Sequence, residues 1–406
     1  MFSSKRCVSG GGRSLLKAVL APDLVRREVP PPHCPPRRVS RSRQVGLRIT
    51  RLQRHEVRGQ GNREPSSPSF PGVESMSVHV GLDVGSRTTA MGWREKGRPA
   101  GSWDIAQTPK GRKAAVKKLL ALKPLSIVME ATGIYYLDLA MELSAAGLPV
   151  SVINPKSSRN FAKLMLQHSK TDALDAQLLA EYGERMTPRL WVPPSPAQLE
   201  LKAIGRHINR LTCHRTRAKN ELHALQATET TSALLIEDEE EAIATFDKRI
   251  ERFRQAGREL IANCPTLNAQ FSHMVAAPGM GDVSTFAVLA ELTTLPVTLK
   301  SSQVSRHAGL DVRLTQSGTS IDKPGRLSKC GNAYLRSAMF MPAMSAIRCD
   351  PYVKAFYEAL VGRGKRKMQA ICAVMRKYLT GLWACMHAGE DFDTAKLFSK
   401  THLLKA

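Results

Sequence analysis

The chain has 406 residues, enough for two or three domains with a sizeable hydrophobic core. Its formal net charge of +25 excludes an acidic protein and indicates a polyanionic partner. Eight scattered cysteines form no C-x-x-C pair, which argues against a zinc site or a disulfide framework and favours a reducing cytoplasm. No apolar run approaches the ~20 residues that span a bilayer, so we expect a soluble protein without a membrane segment.

Residues 1–75 form an Arg-, Pro-, Ser- and Gly-rich extension that holds 15 basic and 5 acidic residues. Such a segment cannot bury enough apolar surface to offset the entropy of ordering it. It is either a disordered basic arm or a translated stretch upstream of the true start of the protein. We favour the second interpretation because Met76 directly precedes the first predicted strand and could be that start.

From Ser77 the pattern changes to alternating strands and helices, which predicts a mixed sheet flanked by helices over residues 76–192. Helices are expected after Thr108, with Pro109 in the first turn, and over Tyr136–Ala146. The predicted strands are Val78–Asp83, Thr88–Trp93, Gly101–Ile105, Leu125–Glu130 and Pro149–Ile153.

Residues 193–268 predict two long helices joined near residues 228–232. The first helix carries basic side chains that are candidate nucleic-acid contacts: Arg206, Arg210, Arg215, Arg217 and Lys219. The second has an apolar seam at coiled-coil spacing: Ile236, Ile243, Phe246, Ile250, Phe253 and Leu260. Glu239 and Gly257 interrupt that seam. A simple helical hairpin is one interpretation. Because exposed seams usually pair, we favour a coiled-coil region that forms a dimer.

A third region, residues 269–406, begins with the sequence AAPGMGDVSTFAVLAEL, which is similar to a helix-hairpin-helix element. Backbone N–H groups around Gly279 and Gly281 could hold a phosphate without reading bases. A Gly-x-Gly turn before a helix is also common in purely structural roles, so that alternative stays open.

Four acidic residues form the first candidate catalytic site. Asp83 and Glu130 each end an apolar strand-like run, and Asp172 and Asp175 are three residues apart in the helical pattern KTDALDA. Convergent carboxylates can hold two Mg²⁺ ions that bind the attacking and leaving oxygens of a phosphodiester. For single residues the alternatives are structural: Asp83 opening a turn, and Glu130 capping the segment that follows.

Ser317 is the second candidate, in the Gly- and Ser-rich segment RLTQSGTSIDKPGRLSKCGNAYLR, where we expect an exposed, mobile loop. A serine is a weak nucleophile at its own pKa and needs help from its surroundings. Cations near it in sequence could neutralise a phosphate and its transition state. They are Arg313, Lys323, Arg326, Lys329 and Arg336. The nearest histidine is His307, and an unreactive solvated serine remains the alternative.

The order of these motifs, GLDVGS, MEATGIY, SVINP, KTDALDA, PGMG and QSGTS…RLSKCGNAYLR…MPAM, resembles the DEDD-type transposases of bacterial insertion sequences. This is the IS110 family of bridge-RNA-guided recombinases, and the resemblance covers roughly residues 77–395. It implies an α/β RNase H-like (RuvC-type) domain, a helical coiled-coil hairpin, and a mainly α C-terminal transposase domain. The implied Mg²⁺ ligands are Asp83, Glu130, Asp172 and Asp175, and the implied nucleophile is Ser317 rather than Ser320.

The resemblance also implies partners. The family assembles as homodimers that pair into homotetramers, with the carboxylates of one subunit completing the serine site of another. A structured guide RNA pairs with target and donor DNA, so that sequence specificity would lie in the RNA and the protein would hold backbones. The extension over residues 1–75 departs from the family pattern, whereas the catalytic positions do not. The expected location is the bacterial cytoplasm.

The expected reaction is DNA recombination through a phosphoserine intermediate, with Mg²⁺ assistance and no ATP. One alternative is a RuvC-like junction nuclease that hydrolyses with water and needs no serine. A second is a non-catalytic nucleic-acid-binding protein that uses the basic helix over residues 199–219. The second alternative explains the charge but leaves the order of the motifs unexplained.

Overall fold

The structure is a computed structural model that describes residues 77–167, 169, 171–318 and 321–398. The interpretation of residues 1–75 therefore falls outside the described residues. None of the helices in the described part of the chain is long and apolar enough to cross a membrane.

The first region is a five-stranded mixed sheet with helices packed on it. The strands are β1 (Val78–Val84), β2 (Thr88–Glu95), β3 (Arg98–Ala106), β4 (Ser126–Glu130) and β5 (Val150–Ile153). Their order is β3-β2-β1-β4-β5, with antiparallel pairs on the β3 side of β1 and parallel pairs on the β5 side. The helices are α1 (Pro109–Leu122), α2 (Tyr136–Ala145), α3 (Pro155–Leu164) and α4 (Asp172–Met186). The mixed sheet flanked by helices that the sequence predicts is confirmed.

Two glycines let α4 lie directly on the sheet. A Cβ atom at Gly81 in β1 would lie 2.0 Å from the carbonyl oxygen of Ala176, and one at Gly183 would lie 2.7 Å from Oγ of Ser126. Ser126 begins β4, whereas Gly81 lies further along its parallel neighbour β1, so α4 runs antiparallel to both strands. The first turn of α4 is therefore directed towards the edge at which β1 and β4 end.

The second region is a pair of 30-residue helices, α5 (Pro196–Leu225) and α6 (Ala233–Ala262). They pack antiparallel, since the rings of His207 and Phe253 are 4.4 Å apart and those of His214 and Phe246 are 5.9 Å apart. Phe246, Phe253 and the buried Ile250 belong to the predicted seam, which therefore packs largely against α5 of the same chain. Much of the seam is therefore covered within the chain, and pairing of this region with another subunit stays a prediction.

The third region is mainly helical and carries one two-stranded ribbon, β6 (Val312–Ser317) and β7 (Ile321–Leu327). Its core surrounds Tyr378, Leu379 and Leu382, each completely buried in the longest helix of the region. The helices are α7 (Pro265–Val275), α8 (Asp282–Leu292), α9 (Ser301–His307), α10 (Ala333–Ala338), α11 (Phe340–Cys349), α12 (Pro351–Gly362), α13 (Lys367–Ala388) and α14 (Thr394–Leu397).

Candidate active site

Two of the predicted carboxylates lie on neighbouring parallel strands. Strands β1 and β4 pair in register up to Leu82, which lies opposite Met129. Asp83 and Glu130 are the next residues on the two strands, so they lie side by side where the strands end. Both side chains are half-buried. The two carboxylates therefore define one edge of the sheet, which we call the carboxylate edge.

The other two carboxylates, Asp172 and Asp175, stand in the first turn of α4 at the same edge. Thr171 caps this helix, its side-chain oxygen accepting a hydrogen bond of 3.2 Å from the backbone N–H of Leu174. Acidic side chains in a first helical turn also interact favourably with the positive end of the helix dipole. The fold thus brings all four predicted residues to one edge.

The donor chemistry of the carboxylate edge fits a divalent cation. All four donors are carboxylate oxygens, the hard ligands that Mg²⁺ and Mn²⁺ prefer. Within the described residues, however, no three Asp, Glu, His or Cys side chains are grouped closely enough to hold an ion. Asp172 is exposed, whereas the other three are half-buried. The four residues are the ones that would hold a metal, but they do not form a closed cage.

Glu130 is oriented by two hydroxyl groups that were not predicted from the sequence. Ser158 in α3 donates to one carboxylate oxygen, and Thr132 donates to the other at 3.3 Å. Ser158 is 3% exposed, whereas Thr132 lies at the surface. Ser158 lies on the helix that follows β5, and β5 pairs with β4, which ends at Glu130. The contact between Ser158 and Glu130 can be predicted only when this order of strands is known.

Ser317 ends strand β6 rather than lying in a loop. Its backbone pairs with that of Ile321, and every residue of β6 is exposed, including Leu314, which is 70% exposed. Gly318 follows with φ +52, a left-handed conformation that suits a glycine in a tight turn. Within the part of the chain that the structure describes, the Ser317 hydroxyl bonds neither a base nor one of the four carboxylates.

The stem of this ribbon is fastened to the helical region by backbone bonds. The N–H of Ser328 donates to the carbonyl of Asp311 at 2.8 Å, and the N–H of Lys329 donates to that of Gly309 at 3.1 Å. The guanidinium of Arg336 donates to the carbonyl of Ala308 at 2.9 Å. The ribbon is therefore anchored at its base, while Ser317 stands at its far end.

A buried ionic cluster lies behind this stem. Glu291 in α8 is 3% exposed, and its carboxylate accepts bonds of 2.7 and 3.0 Å from Arg206 and one of 2.5 Å from Asn332. Asn332 also caps α10, accepting from the N–H of Leu335 at 3.1 Å, and its own N–H bonds the carbonyl of His307 at 2.6 Å. The cluster was not predicted from the sequence, although a glutamate inside the apolar run AVLAEL was a signal.

The cluster also fixes protonation states. Burial alone would raise the pKa of Glu291, but the bonds from Arg206 and Asn332 and the charge of Lys202 hold that pKa below its usual value. The pKa of His307 is lowered, first by its burial and then by the charge of Lys202. This lowering favours the neutral form of His307, and among the described residues the Ser317 hydroxyl bonds no histidine.

The predicted nucleic-acid contacts lie in different settings. Arg206 pairs with Glu291, Arg215 bonds Asp247 at 2.6 Å, and Arg210 bonds His207 at 3.1 Å. Other basic residues are exposed: Arg217, Lys219, Arg313, Arg326 and Lys329. Arg313 and Arg326 are opposite one another on the ribbon, where their like charges repel and an anion bound beside them would be stabilised.

The two predicted glycines differ in their surroundings. Gly279 has φ +80, and a Cβ there would lie 2.8 Å from the backbone nitrogen of Ala346 in α11. Gly281 caps α8 and has open space around it. The turn is also held from behind, since the Tyr378 hydroxyl donates to the carbonyl of Pro278. The turn before α8 is therefore held in place by its neighbours, and there is open space beside Gly281.

Two family models match this chain. Residues 80–228 match a DEDD transposase model of the IS110 type, and residues 273–358 match the transposase IS116/IS110/IS902 family. The first match includes the carboxylate edge and the second includes the ribbon with Ser317. The chain belongs to the IS110 family of transposases, and it is an enzyme that recombines DNA.

Named relatives agree with this membership. The pilin gene-inverting protein of Moraxella bovis is 31% identical over 274 residues, covering 66% of this chain and 82% of the relative. The transposase for insertion sequence element IS1111A of Coxiella burnetii is 25% identical, covering 68% of this chain and 82% of the relative. The RuvC structure of Thermus thermophilus aligns with 28% of this chain and 98% of that protein at 15% identity and a TM-score of 0.24.

Proposed function

We propose that this transposase cuts and rejoins DNA through a phosphoserine intermediate at Ser317, with the carboxylate edge holding a divalent metal, Mg²⁺. The observation that carries the proposal is the placement of four carboxylates at one sheet edge in a chain whose exposed ribbon ends in a serine. The family membership supports a reaction on DNA, because the relatives are named as a transposase and as a gene-inverting protein.

In the proposed reaction, Oγ of Ser317 attacks a DNA phosphorus in line. The Oγ–P bond forms as the P–O3′ bond breaks, the serine loses its proton, and the departing 3′ oxygen gains one. A bound Mg²⁺ would supply stabilisation of the charge that develops on the phosphate. Attack by a 3′-hydroxyl of another duplex then reverses these changes and restores the serine. Each exchange conserves the number of phosphate ester bonds, so no ATP is required.

We further propose that Ser317 and the carboxylate edge of another subunit act together on one DNA phosphate. In the described residues its hydroxyl contacts none of the four carboxylates of its own chain, and the ribbon extends away from its stem. A homodimer that pairs into a homotetramer would bring ribbon and edge together. A guide RNA would supply sequence specificity, while Arg313, Arg326, Lys329 and the start of α8 hold phosphates.

The proposal is tested by incubating the protein with its flanking DNA, the RNA transcribed beside its gene, and Mg²⁺. We expect a denaturation-resistant protein–DNA adduct that peptide mass mapping places at Ser317 and that Ser317→Ala abolishes. Mg²⁺-dependent nicks without an adduct would support the hydrolytic nuclease instead. Binding without either product would support the binding-protein alternative.

A further inference from the structure

One face of α6 is exposed along most of its length and carries a symmetrical charge pattern. Steps of three and four residues place seven side chains on this face, and all seven are exposed. We call it the α6 stripe. Its members are Leu234, Asp238, Glu241, Thr245, Arg249, Arg252 and Ala256.

The positions of the charged residues are symmetrical about Thr245, and the charges on its two sides are opposite in sign. Acidic residues stand four and seven positions before it, and basic residues stand four and seven positions after it. If a second copy of α6 lay antiparallel with a two-fold axis at Thr245, Asp238 would face Arg252 and Glu241 would face Arg249. Each pair would occur twice, as a two-fold axis requires. An isologous interface needs this kind of self-complementarity.

The ends of the stripe extend the match. Leu234 is 72% exposed, and the same antiparallel alignment brings it to Ala256 of a second copy, whose methyl side chain leaves room for a leucine. The opposite face of α6 already packs on α5 through Ile250, which is 1% exposed. The stripe is therefore separate from the core of the hairpin and is open to a partner.

The charge of the whole α5–α6 hairpin follows the same division. The distal part, residues 219–247, has eight acidic residues and one lysine, a net charge of −7. The proximal part, residues 199–218 and 248–262, has ten basic residues and three acidic ones, a net charge of +7. An antiparallel second hairpin would place each part opposite its complement, whereas a nucleic acid along the stripe would meet the repulsive acidic half.

Among the described residues, the four charged side chains of the stripe, Asp238, Glu241, Arg249 and Arg252, have no salt-bridge partner. Arg249 and Arg252, together with Arg210, act on His207, whose pKa is lowered by burial and by these three cations. Arg249 and Arg252 are three residues apart on one helix face, and acidic side chains from a second copy would relieve their mutual repulsion.

We propose that the α6 stripe is a two-fold interface between two copies of this chain, with Asp238 paired to Arg252 and Glu241 paired to Arg249 across the axis at Thr245. The inference deepens the homodimer proposed above and rests on it. It does not depend on the serine chemistry, because the stripe includes none of the proposed catalytic residues.

Charge reversal tests the pairing. One full-length variant carries Asp238→Arg and Glu241→Arg, and a second carries Arg249→Glu and Arg252→Glu. Each stripe then has a single sign, so we expect each variant alone to self-associate at least about tenfold more weakly than the parent in sedimentation velocity. An equimolar mixture should form a heterodimer, because an all-basic stripe meets an all-acidic one. The chain with all four changes should regain self-association.

The control keeps the charge change but moves it off the stripe: Glu237→Arg with Glu240→Arg should self-associate like the parent. The proposal is overturned if the mixture fails to form a heterodimer, or if the control weakens association as much as the stripe variants do. Loss of DNA binding in the basic-reversed variant, without heterodimer formation, would identify a nucleic-acid surface instead. The Ser317 adduct is assayed separately, so failure of the chemistry and failure of the interface give different results.

A cysteine on the axis gives a second test. Thr245→Cys should form an intermolecular disulfide under mild oxidation, because residues on a two-fold axis meet their own copies. Ala244→Cys, one residue away and off the stripe, is the matched control and should stay at the background of the parent, whose exposed cysteines include Cys213, Cys330 and Cys349. Equal cross-linking of the two variants would overturn the axis.

Discussion

The carboxylates of the candidate site stand on a five-stranded sheet, whereas Ser317 stands on a two-stranded ribbon that is exposed throughout β6. The carboxylate edge is supported by buried strands and by α4. This helix packs closely on the sheet because glycines leave no side chain between them. The ribbon is fastened at its stem alone. In the reaction proposed above, the carboxylate edge would receive the phosphate and the anchored ribbon would carry the nucleophile to it.

Mixing two inactive variants tests this arrangement with the largest expected effect. Ser317→Ala and Asp83→Asn should each lose about 10³-fold or more in recombination rate. If the serine of one subunit works on the carboxylate edge of another, a mixture of the two variants retains intact composite sites and regains a substantial fraction of activity. Recombination of a reporter DNA measures this recovery.

The matched control for that mixture is a chain carrying both changes, mixed with inactive Ser317→Ala. This mixture has no intact composite site and should stay inactive. A mixture of the two single variants that also stays inactive would place the serine and the carboxylates of one subunit in the same site. Since Ser317 is exposed, Ser317→Ala should leave the melting temperature unchanged.

Gly81→Ala tests the close packing of α4 on the sheet. The new Cβ would lie 2.0 Å from the carbonyl oxygen of Ala176, so α4 must move off the sheet. We expect a loss of about 3 kcal/mol or more in the stability of the first region, together with loss of DNA cleavage. Gly362→Ala, which adds its methyl group where nothing lies within 4 Å, is the control. Equal melting curves for the two variants would contradict the close packing of α4.

Much of the sheet follows from local patterns. Thr108 caps α1 with Pro109 at its start, and β4 ends at Glu130, both as the sequence predicts. Ser317 was expected in a loop because Gly and Ser residues surround it, but pairing with β7 makes the segment a strand. Pairing of this kind depends on a partner strand, and a local pattern does not include the partner.

The ionic cluster shows the same limit at longer range. Arg206 and Glu291 are 85 residues apart in the sequence, and α5 and α8 must pack before the two charges meet. From the sequence, Arg206 therefore reads as one of several basic residues on an exposed helix. The symmetrical spacing of opposite charges in α6 is visible in the sequence. Whether these charges can contact a partner depends on which face of α6 is covered by α5.

Glu291→Gln tests the ionic cluster behind the stem of the ribbon. Replacing the carboxylate leaves Arg206 and Lys202 without their counter-charge. We therefore expect the free energy of unfolding to fall by about 2 kcal/mol, seen as a lower melting temperature of the helical region. Because the folded-state pKa of Glu291 lies below its usual value, its contribution is complete above that value and is lost as the pH falls through the depressed pKa. The difference between parent and variant should therefore be constant near pH 7 and shrink below about pH 4.

A difference that instead grew in acid would contradict the ionised state of Glu291. Asp322→Asn, which changes an exposed carboxylate bonded to Gln316 on the ribbon, is the control and should leave the free energy of unfolding within about 0.5 kcal/mol of the parent.

Ser158→Ala gives the smallest expected effect and tests whether the Glu130 carboxylate must be held in one orientation. The buried hydroxyl donates to Glu130, so its removal frees the carboxylate to rotate without changing the charge of the edge. A lost hydrogen bond to a charged group is worth about 1.5 kcal/mol, which corresponds to a reduction in cleavage rate of about tenfold. Thr132→Ala removes the longer, exposed bond to the other oxygen and should cost less. If the two variants cleave at the same rate, Glu130 is not positioned by Ser158. If Ser158→Ala is the slower, and added Mn²⁺ or Mg²⁺ restores it more than it restores Thr132→Ala, then the hydroxyl acts by holding a metal-binding carboxylate in place.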